Sequence, residues 1–240
     1  MSDVSAPRPI GPLVANWTPP PVPTGAVLQG RYARLDPLDA DTHAGALHRA
    51  YGGHDALWDY MGYGPFDTEA AFADWIRDTV ADPGHLFYAI TDLQSGVVGG
   101  VASYLRIDPK AGSIEVGNIN YGPALQRTRA ATEAMALMMG WAFDAGYRRY
   151  EWKCNALNAP SRRAAQRLGF SYEGVFRQAL VVKGRNRDTA WFAAIDSDWP
   201  ALRRAFQQWL APDNFDEAGH QIGRLGDLTA PVRVASDPTL

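Results

Sequence analysis

The 240-residue sequence has a single cysteine, Cys154. No disulfide can close within the chain, and a reducing compartment suits it. No run approaches about 18 uninterrupted apolar residues, so no helical membrane span is readable. The stretch 1–17 lacks a basic segment followed by an apolar core. No secretory signal is readable there, and a cytoplasmic location is expected. An excess of one charge is also missing, with 23 Lys+Arg against 26 Asp+Glu. Duplex-binding domains usually carry a strong basic excess, so nucleic acid is disfavoured as a partner. The five histidines, at 43, 48, 54, 85 and 220, show no metal-ligand spacing, and no metal is expected. Neither G-x-S-x-G nor G-x-x-x-x-G-K-[ST] occurs, which removes the hydrolase elbow and the Walker phosphate loop. Cys154 has no histidine nearby in sequence and reads as inert strand packing.

What is present points to a folded chain. The composition is 46% hydrophobic and 20% charged, enough apolar material for a sizeable core. Residues 1–27 are rich in proline and read as an arm extended over the surface. A strand (31–38) precedes a helix (38–51). The glycine-broken stretch 52–66 holds Trp58, Tyr60, Tyr63 and Phe66 and reads as a loop with aromatic anchors. An amphipathic helix (67–82) follows. Three strands with short turns (85–92, 97–107, 114–121) predict an antiparallel meander. The spacing then predicts a long helix over 126–146, a strand (148–155), a short helix (158–170) and a hairpin (171–182 and 189–195, turning through 183–188). A last helix (198–210) leads into a mostly irregular tail, 211–240. The strand–helix–strand unit 114–153 among antiparallel strands implies an α/β mixed sheet with helices on its faces.

One junction stands out. "LQRTRAATEA" (125–134) joins a strand to the long helix, and helix N-termini bind phosphate readily. It carries two arginines and no glycine. It reads either as a phosphate cradle of unusual build or as a basic helix start.

Three segments carry a resemblance: "SIEVGNINYGPALQRTRAATEA" (113–134), "YEWKCNALNAPSRRAAQRLGFSYEGVFR" (150–177) and "GRNRDTAWF" (184–192). Together with the element order, they resemble the GNAT acyl-CoA N-acyltransferases, in particular the RimJ/RimL-like ribosomal-protein N-terminal acetyltransferases. The resemblance covers roughly residues 28–210, between the arm and the tail. It implies a central, mostly antiparallel sheet with helices on both faces. It also implies transfer of the acetyl group of acetyl-CoA to a primary amine, either a protein N-terminal α-amine or a small-molecule amine, by direct attack in a ternary complex.

The resemblance also assigns residues. In the family loop Q/R-x-x-G-x-G/A, Gln126, Arg129 and Ala131 hold the first, fourth and sixth positions, with Arg129 replacing glycine. The implied pyrophosphate cradle is Gln126, Arg127, Thr128, Arg129, Ala130, Ala131 and Thr132. A splay between the strands at 118–121 and 152–154 would leave backbone groups open to the pantetheine arm, and Asn158 would bond that arm while also serving as an N-cap. Ser161 would act as the acid beside the coenzyme sulfur, or merely satisfy a backbone donor. Arg162 and Arg163 would meet nucleotide phosphates or be solvated. Glu115 is the expected base, or a strand carboxylate paired with a cation. The branch's own base position falls at about Leu180, which has no carboxylate. Trp58, Tyr60 and Tyr63 would form the acceptor wall, or anchor the loop to the core. The alternative to an enzyme is an acyl-CoA-binding regulatory module without catalysis, favoured by Arg129 and Leu180. The arm and tail are compatible with a homodimer.

Overall fold

The computed structural model describes residues 8–240. Its strands are β1 (Leu28–Gln29), β2 (Ala33–Pro37), β3 (His85–Asp92), β4 (Val98–Asp108), β5 (Ser113–Tyr121), β6 (Arg149–Asn155), β7 (Ser171–Val182) and β8 (Arg185–Ile195). The helices are α1 (Ala40–Tyr51), α2 (Glu69–Ala81), α3 (Arg129–Asp144), α4 (Ala159–Arg167), α5 (Trp199–Trp209) and α6 (Leu225–Thr229). The strands form one sheet in the order β1-β2-β3-β4-β5-β6-β8-β7. Every neighbouring pair is antiparallel except β5 and β6, which α3 joins. A parallel pair needs such a crossover.

Side-chain alternation along the strands separates two cores. Tyr88, Ile90, Ala102, Tyr104, Ile114 and Val116 face α3 and α5. Phe87, Ala89 and Val101 face α1 and α2. On that second face the intervening residues of β5 and β6 are Glu115, Gly117, Glu151 and Lys153. The sheet therefore carries a polar stripe beside an apolar one, and the polar stripe is where the site forms.

Two departures from the parallel ladder matter. The β5–β6 register ends at Val116 and Trp152, although both strands run on. Beyond that point the strands diverge, as the splay required. The β7–β8 hairpin turns on Lys183-Gly184 alone, both at positive φ (49° and 71°), so β8 starts at Arg185. The stretch 183–188 expected as a turn is thus mostly strand, because a two-residue turn with both φ positive matches the twist of its strands.

Residues 1–7 of the expected arm lie outside the described residues, and the rest of it contacts the α3–β6 end of the domain. Pro21 accepts a hydrogen bond from the Tyr147 hydroxyl at 3.1 Å, and Trp17 receives Arg148 over its ring. The tail, 211–240, contains the short helix α6, buries Leu225, and is tied back by Asp237, which is 4% exposed and pairs with Arg162. A charged pair this buried holds a segment in place because either partner alone would be left unsatisfied.

Candidate active site

Two cavities meet where β5 and β6 part. The larger, about 1530 Å³, runs past the N-terminus of α3 and along α4 to the tail segment 215–221. The smaller, about 550 Å³, lies over β5 and β6 beneath loop 60–63 and the β7–β8 hairpin. Tyr60, Ile119, Trp152, Asn158 and Ser161 line both.

The large groove holds the whole stretch Gln126–Thr132. Thr128 caps α3, its hydroxyl accepting from the Ala131 amide at 3.0 Å. The amides of Arg129 and Ala130 have no intrahelical acceptor, and the helix dipole adds positive potential there. Arg127 takes the left-handed conformation, φ 62°, so the sharp turn falls two residues before Arg129. Arg129 is already helical and needs no glycine conformation. Its guanidinium is clamped between the rings of Tyr32 and Phe215, 4.8 Å from each, and donates to Gln94 at 3.0 Å. The side chain that replaced glycine is thereby held by the groove's rim.

Deeper in the groove, the side-chain amide nitrogen of Asn120 and the Tyr121 hydroxyl are buried with no partner among the described residues. Orphaned polar groups of this kind call for a ligand or water. Arg167, which the sequence reading missed, also lines the groove. It donates to the Thr132 hydroxyl at 3.1 Å and lies over Trp209, and burial pulls its guanidinium below its usual value. Free amides, orphaned polar atoms and a buried cation make a donor set that fits an elongated phosphorylated ligand.

Helix α4 sorts its adjacent arginines, Arg162 and Arg163. Pro160, Ser161, Arg163, Ala164, Arg167 and Leu168 line the groove, a spacing that marks one helix face. Arg162 falls off that face. It donates to Asp237, to the Ala156 carbonyl and to Thr239. The expectation that Arg162 faces phosphate gives way to a tail anchor.

At the junction, the Ser161 hydroxyl accepts from the Trp152 indole N–H at 3.0 Å, which leaves its own proton free to donate. The Ser161 amide donates to Asn158 at 3.1 Å, so Asn158 is an N-cap and a lining residue at once. Burial pushes the neighbouring Cys154 thiol up, while the Ser161 hydroxyl works the other way. A raised pKa makes Cys154 a poor nucleophile.

In the small cavity, Glu115 is 2% exposed and engaged by two cations. Arg106 donates to both its oxygens at 2.8 Å, and Lys153 lies 2.8 Å from Oε2. The geometry is that of the paired strand carboxylate. Lys153 also pairs with Glu151 at 2.6 Å. Tyr63 stacks on Trp75 with centroids 4.4 Å apart, and its hydroxyl donates to Asn118 at 3.4 Å. Tyr60 donates to the Leu157 carbonyl at 3.3 Å. Both tyrosines line the cavity. Trp58 does not: it is 4% exposed and packs edge-on against Tyr51, Phe66 and Phe72. The expected acceptor-wall role of Trp58 is corrected to a core anchor. Lys183 bridges the two covering segments, donating to the Trp58 and Gly64 carbonyls at 2.9 and 2.8 Å. His85, hydrogen-bonded to Asp82 at 2.8 Å, stands at the far wall. Among the described residues no group of three His, Cys, Asp or Glu could hold a metal, and no helix is long and apolar enough to cross a membrane.

Comparison with known proteins bears on this geometry. The profile of the acetyltransferase (GNAT) domain matches residues 33–171. The structure of a GCN5-related N-acetyltransferase from Brucella melitensis is 48% identical, with TM-score 0.87 over 90% of this chain and 99% of that one. A GNAT-family protein from Chromobacterium violaceum ATCC 12472 is 43% identical, with TM-score 0.77 over 82% and 99%. The acetyl transferase from Salmonella typhimurium that modifies the N-terminal serine of ribosomal protein L7/L12 is 20% identical, with TM-score 0.61 over 71% and 99%, a likeness of fold. No protein of curated function matches the chain. The matched domain spans more than half of the chain and contains the stretch Gln126–Thr132, the splayed strands and Ser161, and the chain belongs to the GNAT acetyltransferase family.

Proposed function

We propose that this GNAT enzyme transfers acetyl from acetyl-CoA to a primary amine by direct attack in a ternary complex, and that it is RimJ/RimL-like in branch. The observation that carries the reading is the meeting of two cavities at Ser161, one lined by free helix amides and one by charged side chains. Acetyl-CoA supplies the activated thioester. The chain supplies position, charge and proton traffic.

The amides at the start of α3, with Arg163 and Arg167, receive the phosphates. Gln126 and Thr132 frame that cradle, and Asn158 with the open edges of β5 and β6 holds the pantetheine arm. In the smaller cavity Tyr60 and Tyr63 flank the acceptor. The amine nitrogen attacks the carbonyl carbon, the carbon–sulfur bond breaks, and Ser161 gives its proton to the departing thiolate. The proton lost by the amine passes through water to Glu115, which keeps lone pairs beyond those its two cations use. An α-amine, with a pKa of about 8, needs less help from that carboxylate than a lysine amine at about 10.4. The single thiol suits a cytoplasmic enzyme.

A second reading has one observation in its favour: a carboxylate gripped by Arg106 and Lys153 is a structural ion cluster as readily as a base. It describes a coenzyme-binding regulatory module without turnover, and acetylation of any amine removes it. Calorimetric titration with acetyl-CoA, desulfo-CoA and adenosine 3′,5′-bisphosphate tests the donor half. Micromolar binding that requires the pyrophosphate is expected. No binding by the folded protein overturns the reading.

A further inference from the structure

The floor of the smaller cavity gathers three cationic side chains around Glu115, with Asp78 and Asp82 further along the lining. Arg106, Lys153 and Arg187 line it together with Glu115. Glu115 serves Arg106 and Lys153, and Lys153 shares Glu151 as well. Arg187 has no carboxylate within ion-pair distance among the described residues. Its Nε is buried with no acceptor. Burial pulls the guanidinium below its usual value, and nearby Arg106 adds to that while Glu115 and Cys154 oppose it. Of the other acidic groups in the lining, Asp82 bonds the Gly84 amide and His85, and Asp78, on α2, makes no ion pair with Arg187.

Arg187 is not isolated in this respect. Thr189 and Trp191 follow at alternate positions on the same face of β8, where Trp191 packs against Lys153 at 3.9 Å. The Thr189 hydroxyl and the Trp191 indole nitrogen are also buried without partners. Of the three, Arg187 alone lines the cavity. A native interior leaves few unpartnered donors, and one on a cavity wall marks a place for acceptor atoms. A guanidinium fork matches an oxyanion with two oxygens better than any neutral ligand.

We infer that the amine acceptor carries an oxyanion close to its amine, a carboxylate of amino-acid type, and that Arg187 reads it. This rests on the acetyltransferase reading and narrows its substrate class. Cys154 lies beside Ser161 and within electrostatic reach of Arg187, so the anion site and the reaction centre share one corner of the cavity. That favours an anion near the amine over one at the end of a long chain. The cavity, about 550 Å³ and roofed by the Lys183 bridge, is of small-ligand size.

The test is a panel of amino acids, each beside its primary amide and its aminophosphonate analogue, followed by acetyl-CoA turnover. Calorimetric titration of the protein–desulfo-CoA complex with the same compounds reads binding without turnover. Amino acids are expected to exceed their amides by about ten-fold or more in kcat/KM and in affinity. Arg187→Met should collapse that ratio toward one, and Arg187→Lys should recover part of it. Stronger binding of aminophosphonates keeps the oxyanion site and moves its preference to phosphorus. Equal use of acids and amides by the unaltered protein overturns the proposal. So does a uniform fall in kcat for every amine in Arg187→Met, which would assign Arg187 to the reaction itself. Coenzyme binding with carboxylate-selective amine binding and no turnover would sink the enzyme reading while leaving the anion site standing.

Discussion

The two ends of the site are built from different materials. The coenzyme end is made chiefly of backbone: free amides at one helix start, two strand edges that part company, and a capping threonine. The acceptor end is made of side chains gathered from α2, β3, β4, β5, β6 and the hairpin. Backbone groups cannot be substituted away, so a cradle of amides tolerates Arg129 where glycine is usual, provided the side chain is parked. A pocket of charged side chains has no such tolerance, since one replacement leaves a partner buried and unpaired.

Substitutions can break or sharpen this contrast. The largest effect is expected at the junction. Ser161→Ala should lower kcat by about 100-fold while leaving acetyl-CoA affinity within a few-fold, as loss of a proton donor does. Steady-state kinetics beside calorimetry separates the two, and equal loss in both would make Ser161 structural only. Next comes the acceptor floor. Glu115→Gln leaves Arg106 without its carboxylate and Lys153 with Glu151 alone, and should cost roughly 1–3 kcal/mol in urea unfolding. It should also shift the alkaline limb of the kcat–pH profile, and an unmoved limb removes Glu115 as base. The smallest effect belongs to the coenzyme end. Phe215→Ala removes one of the two rings holding Arg129, and a cation–π contact at a half-exposed site contributes about 0.5–1 kcal/mol. A two- to five-fold weaker acetyl-CoA affinity is expected. A hundred-fold loss would show that Arg129, once released, closes the cradle.

The same contrast explains what the sequence disclosed. The element order and the crossover were legible from periodicity and turn residues. The α3 start was read at Gln126, whereas Thr128 caps the helix and it begins at Arg129. Helix periodicity also held the answer for Arg162 and Arg163: positions 160, 161, 163, 164, 167 and 168 share a face, and 162 does not. Arg162 was nevertheless placed on the phosphate because its true partner, Asp237, stands 75 residues away in a tail that reads as irregular. Trp58 was open to either role, and the choice depended on Phe66 and Phe72 closing around it. Arg187 was hidden inside a stretch that reads as a charged turn. Only the left-handed pair Lys183-Gly184 shortens that turn and puts Arg187 on a strand. Glu133 escaped notice too. Its buried carboxylate accepts from the amides of Arg31, Tyr32 and Ala33 at 3.0, 2.6 and 2.7 Å, an arrangement that spans about a hundred residues.

Phe215 and the segment to Gln221 form one wall of the coenzyme groove, and Asp237 fastens that wall to α4. These residues follow the sheet and α1–α5 in order of synthesis. A ribosome delivers the sheet, the phosphate loop and Ser161 first, with the groove still open along one side. On the proposed function, coenzyme capture waits for this last-made wall.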